Sequence, residues 1–409
     1  MAKKEEYYVG LDIGSSKITV VVGEPDEEGV LSIIGLGTSR TTGVKKGVVT
    51  EIEETVSGIS EAIEMAESLS GSQIQSATVN INGGHISSIN SRGVVAIAMP
   101  NGDISRNDIA RAEDAAQAVQ IPSNKEILHV IPRFYNIDNG ESVKDPLGMS
   151  GVRLEVETHL VAVSQQATRN LAKTVTQAGV AVEEIIVSPL ASAKASITKK
   201  QRELGCVLVD IGATTTGITV FIDDSVLYTK VFPVGAGSIT NDIAIGLRTS
   251  VDVAEKVKLK YGYAVSADVP DIDRIDLSAI DIAEEAIVTR REVAEIIQAR
   301  LEEIFCLVKD ELRRMNCDTL LPAGLILTGG GAKLSGIDDL AKAYFHLPVN
   351  IGKPHSLAGM TEKVYDPSYS GAIGLLLYSF EQSLPKGGGG HMVSAFYKKA
   401  KDVFKIFLP

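Results

Sequence analysis

The sequence is poor in cysteine, has no long apolar run and carries no excess of basic residues. Its three cysteines, Cys206, Cys306 and Cys317, form no paired framework, and no N-terminal signal peptide is recognisable, so we expect a reducing, cytoplasmic setting. No apolar stretch approaches the ~20 residues that span a bilayer. The formal net charge of −12 opposes binding to nucleic acid or anionic lipid. Any contact with an anionic membrane must therefore come from a local segment that is an exception to this acidic charge.

What the sequence does contain is an internal duplication. Residues 9–37 and 207–235 each begin with an apolar strand that ends in Asp-Ile-Gly. In both copies a short polar turn, a β-branched strand, an acidic turn and a third strand follow. Asp12 corresponds to Asp210, and Gly14 corresponds to Gly212. Since 409 residues exceed one ordinary core, this repeat predicts two related halves.

Strands and helices alternate after each copy, which predicts α/β layers. In the first half, Thr50 and Glu53 form a potential capping box for a helix over residues 50–69. A strand is predicted next, over residues 77–82. The apolar residues of the helix follow helical spacing, which indicates one buried face.

In the second half, residues 241–261 are predicted to form one helix. A long helix is predicted to begin at a capping box of Thr289 and Glu292. Its buried stripe is expected to contain Val293, Ile296, Ile297, Leu301, Ile304, Phe305 and Val308.

Residues 84–164 have a different pattern. Asn-Gly turn signals occur at positions 101–102 and 139–140. Between them lie an amphipathic helix from Ser105 and a strand from Glu126. The pattern predicts a small α+β insertion with its own core.

The repeated Asp-x-Gly turns are candidate phosphate-binding turns. Glycine lets the backbone approach an anion, and turn N–H groups and hydroxyls donate to phosphate oxygens. A carboxylate before the glycine suits hydrated Mg²⁺, which takes one or two carboxylates. The candidates are Asp12, Gly14, Ser15, Ser16 and Lys17 in one half, and Asp210, Gly212, Thr214, Thr215 and Thr216 in the other. The competing interpretation is two ordinary strand ends, which the repetition disfavours.

A glycine cluster, Gly329, Gly330 and Gly331, follows an apolar strand over residues 323–327. Bare backbone there could support a base or ribose, so a side chain at Gly331 is expected to crowd the base; a flexible loop is the alternative. Glu255 and Lys258 share a predicted helix face, where they could bracket an adenosine. Such a pair is more often a solvated surface pair.

Together these motifs resemble the actin, Hsp70 and sugar kinase superfamily, which implies an actin-like duplicated α/β fold with ATP and Mg²⁺ in the cleft between the halves. The resemblance adds Ala213, Gly237 and Lys333 to the nucleotide-binding candidates. Within the superfamily, residues 131–140, 145–155 and 188–193 resemble the FtsA family of bacterial cell-division proteins. In that family the inserted segment replaces one of actin's subdomains.

One position departs from the superfamily pattern. Relatives place Glu or Gln before a Pro-x-x-Ala segment to orient the attacking water, whereas this chain has Ser188 before Pro189. Serine cannot replace a carboxylate as a base near neutral pH. We therefore expect nucleotide binding with weak hydrolysis or none.

The C-terminal segment supplies the local exception for a membrane. Residues 385–392 are predicted to be a flexible linker, and its Gly-Gly-Gly-Gly-His-Met sequence also resembles an engineered join. Residues 393–409 are predicted to form a basic amphipathic helix, which is typical of an interfacial anchor. Its membrane-contacting candidates are Phe396, Tyr397, Lys398, Lys399, Val403, Phe404, Phe407 and Leu408. The alternative is a helix docked on its own body or a partner.

The resemblance implies a division of the chain. The first half's core is expected over residues 1–84, 165–203 and 366–384, the insertion over 85–164, the second half's core over 204–236 and 306–365, and its smaller subdomain over 237–305. It also implies an adaptor at the cytoplasmic side of the membrane. That adaptor would form filaments, bind the C-terminal tail of FtsZ through the smaller subdomain, and bind other division proteins through the insertion. A PilM-like pilus-assembly protein and a soluble kinase or chaperone ATPase are the alternatives.

Overall fold

The structure is a computed structural model that describes residues 7–26, 29–97, 102–282, 284–355 and 357–383. The predicted linker over residues 385–392 and the predicted helix over residues 393–409 lie outside the described residues. Within the described ranges, no helix is both long enough and apolar enough to cross a bilayer.

Two large sheets share one topology, as the duplication predicts. The first contains β1 (Tyr8–Ile13), β2 (Lys17–Pro25), β3 (Leu31–Arg40), β6 (Ser76–Ile81), β11 (Ala181–Val187) and β19 (Ala358–Gly359). The second contains β12 (Cys206–Ile211), β13 (Thr216–Ile222), β14 (Ser225–Phe232), β17 (Leu325–Thr328) and β18 (Val349–Ile351). In the first sheet β1, β2 and β3 are antiparallel neighbours, while β6 and β11 run parallel to β1. The strands β12, β13, β14, β17 and β18 repeat this order and these directions.

The insertion forms a separate antiparallel sheet. Its strands are β7 (Ser87–Ala96), β8 (Lys125–Ile137), β9 (Ser142–Val143) and β10 (Arg153–Ser164), and they pack with helix α2 (Arg106–Ala116). A core of its own contains Ile104, Ala112, Ala116, Tyr135, Leu154 and Val156. Asp138 and Asn139 have positive φ angles of 50° and 61° at the turn before β9, where Asn139-Gly140 predicts a turn. Asn101 lies outside the described residues.

The remaining elements complete the layers. Two short hairpins pair β4 (Val44–Lys45) with β5 (Val48–Val49) and β15 (Arg274–Asp276) with β16 (Ile287–Thr289). The other helices are α1 (Ile52–Ser70), α3 (Gln165–Gln177), α4 (Ser188–Ser196), α5 (Lys199–Leu204), α6 (Ala236–Leu247), α7 (Val251–Tyr261), α8 (Arg290–Arg314), α9 (Ile337–Phe345), α10 (Thr361–Val364) and α11 (Ser370–Ser383).

The predicted helix starts are partly right. At α8 the capping box of Thr289 and Glu292 is present, as predicted. At α1 the predicted box is wrong, because the helix begins after Glu51, which makes no side-chain cap. Thr50 instead donates its hydroxyl to the Gly43 carbonyl at 3.1 Å. The side chain is thereby used to close the preceding loop rather than to cap the helix.

The single helix predicted over residues 241–261 is also wrong. Arg248 adopts a left-handed conformation with φ 56° and ends α6. Ser250 then caps α7, where its side chain accepts a hydrogen bond from the N–H of Val253 at 3.2 Å. The apolar spacing continues across this break because both helices pack on the same core, so periodicity alone does not reveal it.

The insertion also contacts the second half, through the side of β14. Ser88 on β7 donates to the Thr229 carbonyl at 2.7 Å and accepts from the Thr229 N–H at 3.1 Å. Asn90 donates to the Leu227 carbonyl at 3.1 Å. Backbone groups at the free edge of β14 are thus satisfied by side chains of β7 instead of by a further strand.

Candidate functional site

The two Asp-x-Gly turns face each other across one cleft. Each glycine closes its turn in the same way: Gly14 N–H donates to the Lys17 carbonyl at 3.1 Å, and Gly212 N–H donates to the Thr215 carbonyl at 2.8 Å. The hydroxyls of Ser15 and Thr214 are hydrogen-bonded across the cleft at 2.7 Å. Two segments 199 positions apart in sequence are therefore adjacent at the site.

The cleft has a cavity volume of about 120 Å³ and opens to solvent. Eleven predicted site residues line it: Asp12, Gly14, Ser15, Ser16, Lys17, Asp210, Gly212, Ala213, Thr215, Gly329 and Gly330. Predicted residues outside this lining are Thr214, Thr216, Gly237, Glu255, Lys258, Gly331 and Lys333.

The carboxyl groups of Asp12 and Asp210 come from opposite halves, and both have raised pKa values. Burial, with a further contribution from Asp210, raises the pKa of Asp12 to about 6, although Lys17 opposes this shift. Burial also raises the pKa of Asp210, although the hydrogen bond that Ser192 donates to it at 2.6 Å acts to lower that pKa. A cation between these carboxylates would relieve both effects. The donor set thus fits hydrated Mg²⁺, which prefers oxygen ligands and needs only one or two carboxylates.

Lys17 lines the cleft and contacts the segment that precedes α11. Its Nζ donates to the Ser368 hydroxyl at 3.1 Å and stands 4.0 Å from the centre of the Tyr369 ring. Burial lowers the pKa of the Lys17 ammonium, although Asp12 and Asp366 favour its charged form. The neighbouring Lys333 forms an ion pair with Asp366 at 2.6 Å. Two lysine ammonium groups are thus held near the Asp-x-Gly turns.

The three glycines of the cluster differ in the space that surrounds them. A Cβ atom at Gly329 would lie 2.3 Å from Oδ1 of Asp210, and one at Gly331 would lie 2.4 Å from Cγ2 of Ile211. These two glycines are therefore required for packing against the end of β12. Only Gly330 both lines the cleft and has open space where a side chain would go. A side chain at Gly331 would contact Ile211, and its expected contact with a base stays a prediction.

Glu255 and Lys258 form an ion pair on α7, with Nζ and Oε2 2.6 Å apart. Lys258 is buried, and it also donates to the Thr240 hydroxyl at 2.7 Å and contacts the Ala236 carbonyl at 3.4 Å. The pair therefore ties α7 to α6 and is not simply solvated. Gly237, at the start of α6, donates its N–H to the Ala213 carbonyl at 2.7 Å, which connects this region with the second turn.

Sequence reasoning missed Asn80, Asn82 and Ser192, which also line the cleft. Asn80 donates to Oδ1 of Asp12 at 2.6 Å and to the Ser188 hydroxyl at 3.0 Å. Ser188 lies at the first position of α4 and donates in turn to the Ile81 carbonyl at 3.3 Å. A detectable signal was present, because Asn-Ile-Asn follows an apolar strand just as Asp-Ile-Gly does.

The sequence is similar to known cell-division proteins. A family profile described as Cell division protein FtsA matches residues 207–374, and one described as SHS2 domain inserted in FTSA matches residues 83–162. Cell division protein FtsA of Pseudomonas aeruginosa is 43% identical over 374 residues, which cover 91% of this chain and 89% of the relative. Cell division protein FtsA of Borreliella burgdorferi is 40% identical over 91% of each chain. That of Escherichia coli (strain K12) is 34% identical, over 94% of this chain and 92% of the relative.

Solved structures confirm the predicted actin-like fold at low sequence identity. A PilM–PilN type IV pilus biogenesis complex aligns with a TM-score of 0.66 and 18% identity, covering 92% of this chain and 99% of that chain. MreB5 of Spiroplasma citri bound to ADP aligns with a TM-score of 0.55 and 15% identity, covering 93% of this chain and 98% of that chain. At these identities the likeness establishes the fold alone.

Proposed function

The chain belongs to the family of cell division protein FtsA, and from this premise we propose that it is an ATP-binding adaptor of the division site. The adaptor would assemble into filaments and hold a ring of the tubulin-like protein FtsZ at the cytoplasmic face of the membrane. The observation that carries the nucleotide part is the meeting of both Asp-x-Gly turns at one cleft. ADP bound to a protein of the same fold, MreB5, supports it.

In this proposal, Asp12 and Asp210 would hold hydrated Mg²⁺. The turn N–H groups and hydroxyls at Ser15 and Thr215 donate to phosphate oxygens, and Lys17 adds positive charge. The metal would neutralise phosphate charge between the halves. Gly330 lines the cleft and faces open space. Because it has no side chain to fill that space, the nucleotide can approach the backbone there.

The partners follow from the family. The smaller subdomain over residues 237–305 is the proposed site for the FtsZ C-terminal tail, and the insertion over residues 85–164 is the proposed site for other division proteins. Head-to-tail contacts that do not close give filaments. Basic amphipathic segments over residues 393–409, repeated along a filament, would bind anionic membrane with avidity.

A PilM-like function is the second candidate, because the PilM–PilN structure aligns over 92% of this chain. Identity separates the candidates: it is 18% for that structure and 43% for the Pseudomonas aeruginosa FtsA. The kinase or chaperone alternative has less support, since the position before Pro189 carries a serine whose hydroxyl is already hydrogen-bonded.

Sedimentation tests the adaptor proposal. Protein, FtsZ and acidic liposomes are spun together with Mg-ATP, and each component is then omitted in turn. We expect FtsZ to reach the liposome fraction only when this protein is present. FtsZ lacking its C-terminal tail is the matched control and should stay in the supernatant. FtsZ that does not follow the protein to liposomes would contradict the adaptor function.

Turnover of ATP should be far below the median enzyme rate of ~10 s⁻¹. The Ser188 hydroxyl accepts from Asn80 and donates to Ile81, and it cannot act as a base near neutral pH. Phosphate release is to be measured with and without lipid, with Ser188→Ala as the control that should change little. A brisk rate that is abolished by Asp210→Ala would show that the site is catalytically competent.

A further inference from the structure

Asn80 lies near the carboxyl end of β6 and Asn82 follows directly after its last residue, and the proposed function gives neither a role in binding the nucleotide. Asn80 is 3% exposed. Its carbonyl accepts from the Ile13 N–H at 2.7 Å, and its amide nitrogen donates to Asp12 and Ser188. Asn82 donates to the Thr215 hydroxyl at 3.1 Å, across the cleft.

We propose that this strand end is a further part of the nucleotide site, with separate roles for its two amides. Asn80 is a positioning residue that holds the carboxylate of Asp12 for Mg²⁺. Asn82 is a positioning residue for the second phosphate turn, through Thr215. The inference deepens the proposed Mg-ATP site and rests on it.

The role of Asn80 follows from its hydrogen bonds, which occupy both the oxygen and the nitrogen of its side-chain amide. A backbone N–H can only donate, so the bond from Ile13 fixes which end of the amide is oxygen and directs the NH₂ group toward Asp12. The donated bond to Oδ1 at 2.6 Å restrains the carboxylate and leaves its other oxygen for a further ligand. Outer partners of this kind orient metal-side carboxylates, and losing one typically costs 10- to 100-fold in metal affinity.

Asn82 acts on a different part of the site. Its bond to Thr215 and the bond between Ser15 and Thr214 at 2.7 Å are side-chain links between opposite halves of the cleft. Thr215 is buried and lies in the turn that would donate to phosphate. Loss of this link should loosen the phosphate turn without touching either carboxylate.

The two roles predict different dependence on metal. A fluorescent ATP analogue is titrated into wild type, Asn80→Ala and Asn82→Ala, once with Mg²⁺ and once with EDTA. With Mg²⁺, Asn80→Ala should bind the analogue about tenfold more weakly than wild type does. In EDTA, the two proteins should bind it equally well. Asn82→Ala should weaken binding by a similar factor in both conditions.

Thr78→Val is the matched control. Thr78 lies on the same strand and the same side, and its buried hydroxyl has no hydrogen-bond partner among the described residues. This change should leave both titrations unaltered. Thermal melting checks the fold, and if Asn80→Ala melts early, Asn80→Ser carries the same expectation with a smaller loss of volume.

The outcomes separate the inference from its premise. Wild type that binds no analogue in either condition would overturn the proposed ATP site, and this inference with it. Wild type that gains affinity with Mg²⁺, while the Asn80 variant keeps the full gain, would overturn the inference alone. Equal losses in Mg²⁺ and EDTA for that variant would show that Asn80 only supports the fold.

Discussion

Replacing Phe404 and Phe407 together by glutamate should abolish binding to liposomes while leaving ATP binding intact. Burying one Phe side chain is worth ~1.5–3 kcal/mol, so losing two should reduce partitioning by a few powers of ten. The linker over residues 385–392 should uncouple the segment from the cleft. Flotation with acidic liposomes measures the first quantity, and titration with a fluorescent ATP analogue measures the second.

Two lysines of the same segment provide the control. Changing Lys398 and Lys399 to glutamine should weaken binding moderately and mainly to acidic lipid, because lysine attraction is screened within ~8 Å at physiological salt. A double-glutamate protein that still floats with liposomes would show that the segment is not the anchor. One that unfolds or loses ATP binding would show that the segment packs on the body instead.

The fold could be predicted largely because the sequence repeats itself. Asp12 and Asp210 end equivalent strands, and the two sheets around them share strand order and direction. The repeat also indicated that both turns belong to one site. It did not reveal where helices break, since Arg248 leaves the helix through a backbone conformation that apolar spacing does not encode.

The parts of the site that sequence reasoning missed depend on contacts between distant segments. Asn80 is 68 positions from Asp12, and Asn82 is 133 positions from Thr215. Gly331 fits the pattern of a nucleotide contact, and only the structure shows that it also packs against Ile211. Motif spacing identifies residue types with suitable chemistry, whereas the direction each one faces is set by tertiary packing.

The second large effect is expected at Gly330, whose surroundings are set by tertiary packing. Gly330→Asp should weaken binding of the ATP analogue by roughly 30- to 100-fold without lowering the melting temperature. Position 330 lines the cleft and has open space for a side chain, so the change adds a charge without a clash. Repulsion between two unit charges ~6–8 Å apart is worth ~2–3 kcal/mol at an effective dielectric constant of ~20.

Two matched variants separate charge from size and from packing. Gly330→Asn has nearly the same shape without the charge, so it should lose much less affinity than Gly330→Asp. Gly331→Asp should instead lower the melting temperature, because its Cβ would lie 2.4 Å from Ile211. Equal affinity of Gly330→Asp and wild type would place the nucleotide away from this loop. Equal losses of affinity in Gly330→Asp and Gly330→Asn would show that a side chain at position 330 blocks the ligand by its size and not by repelling its phosphates.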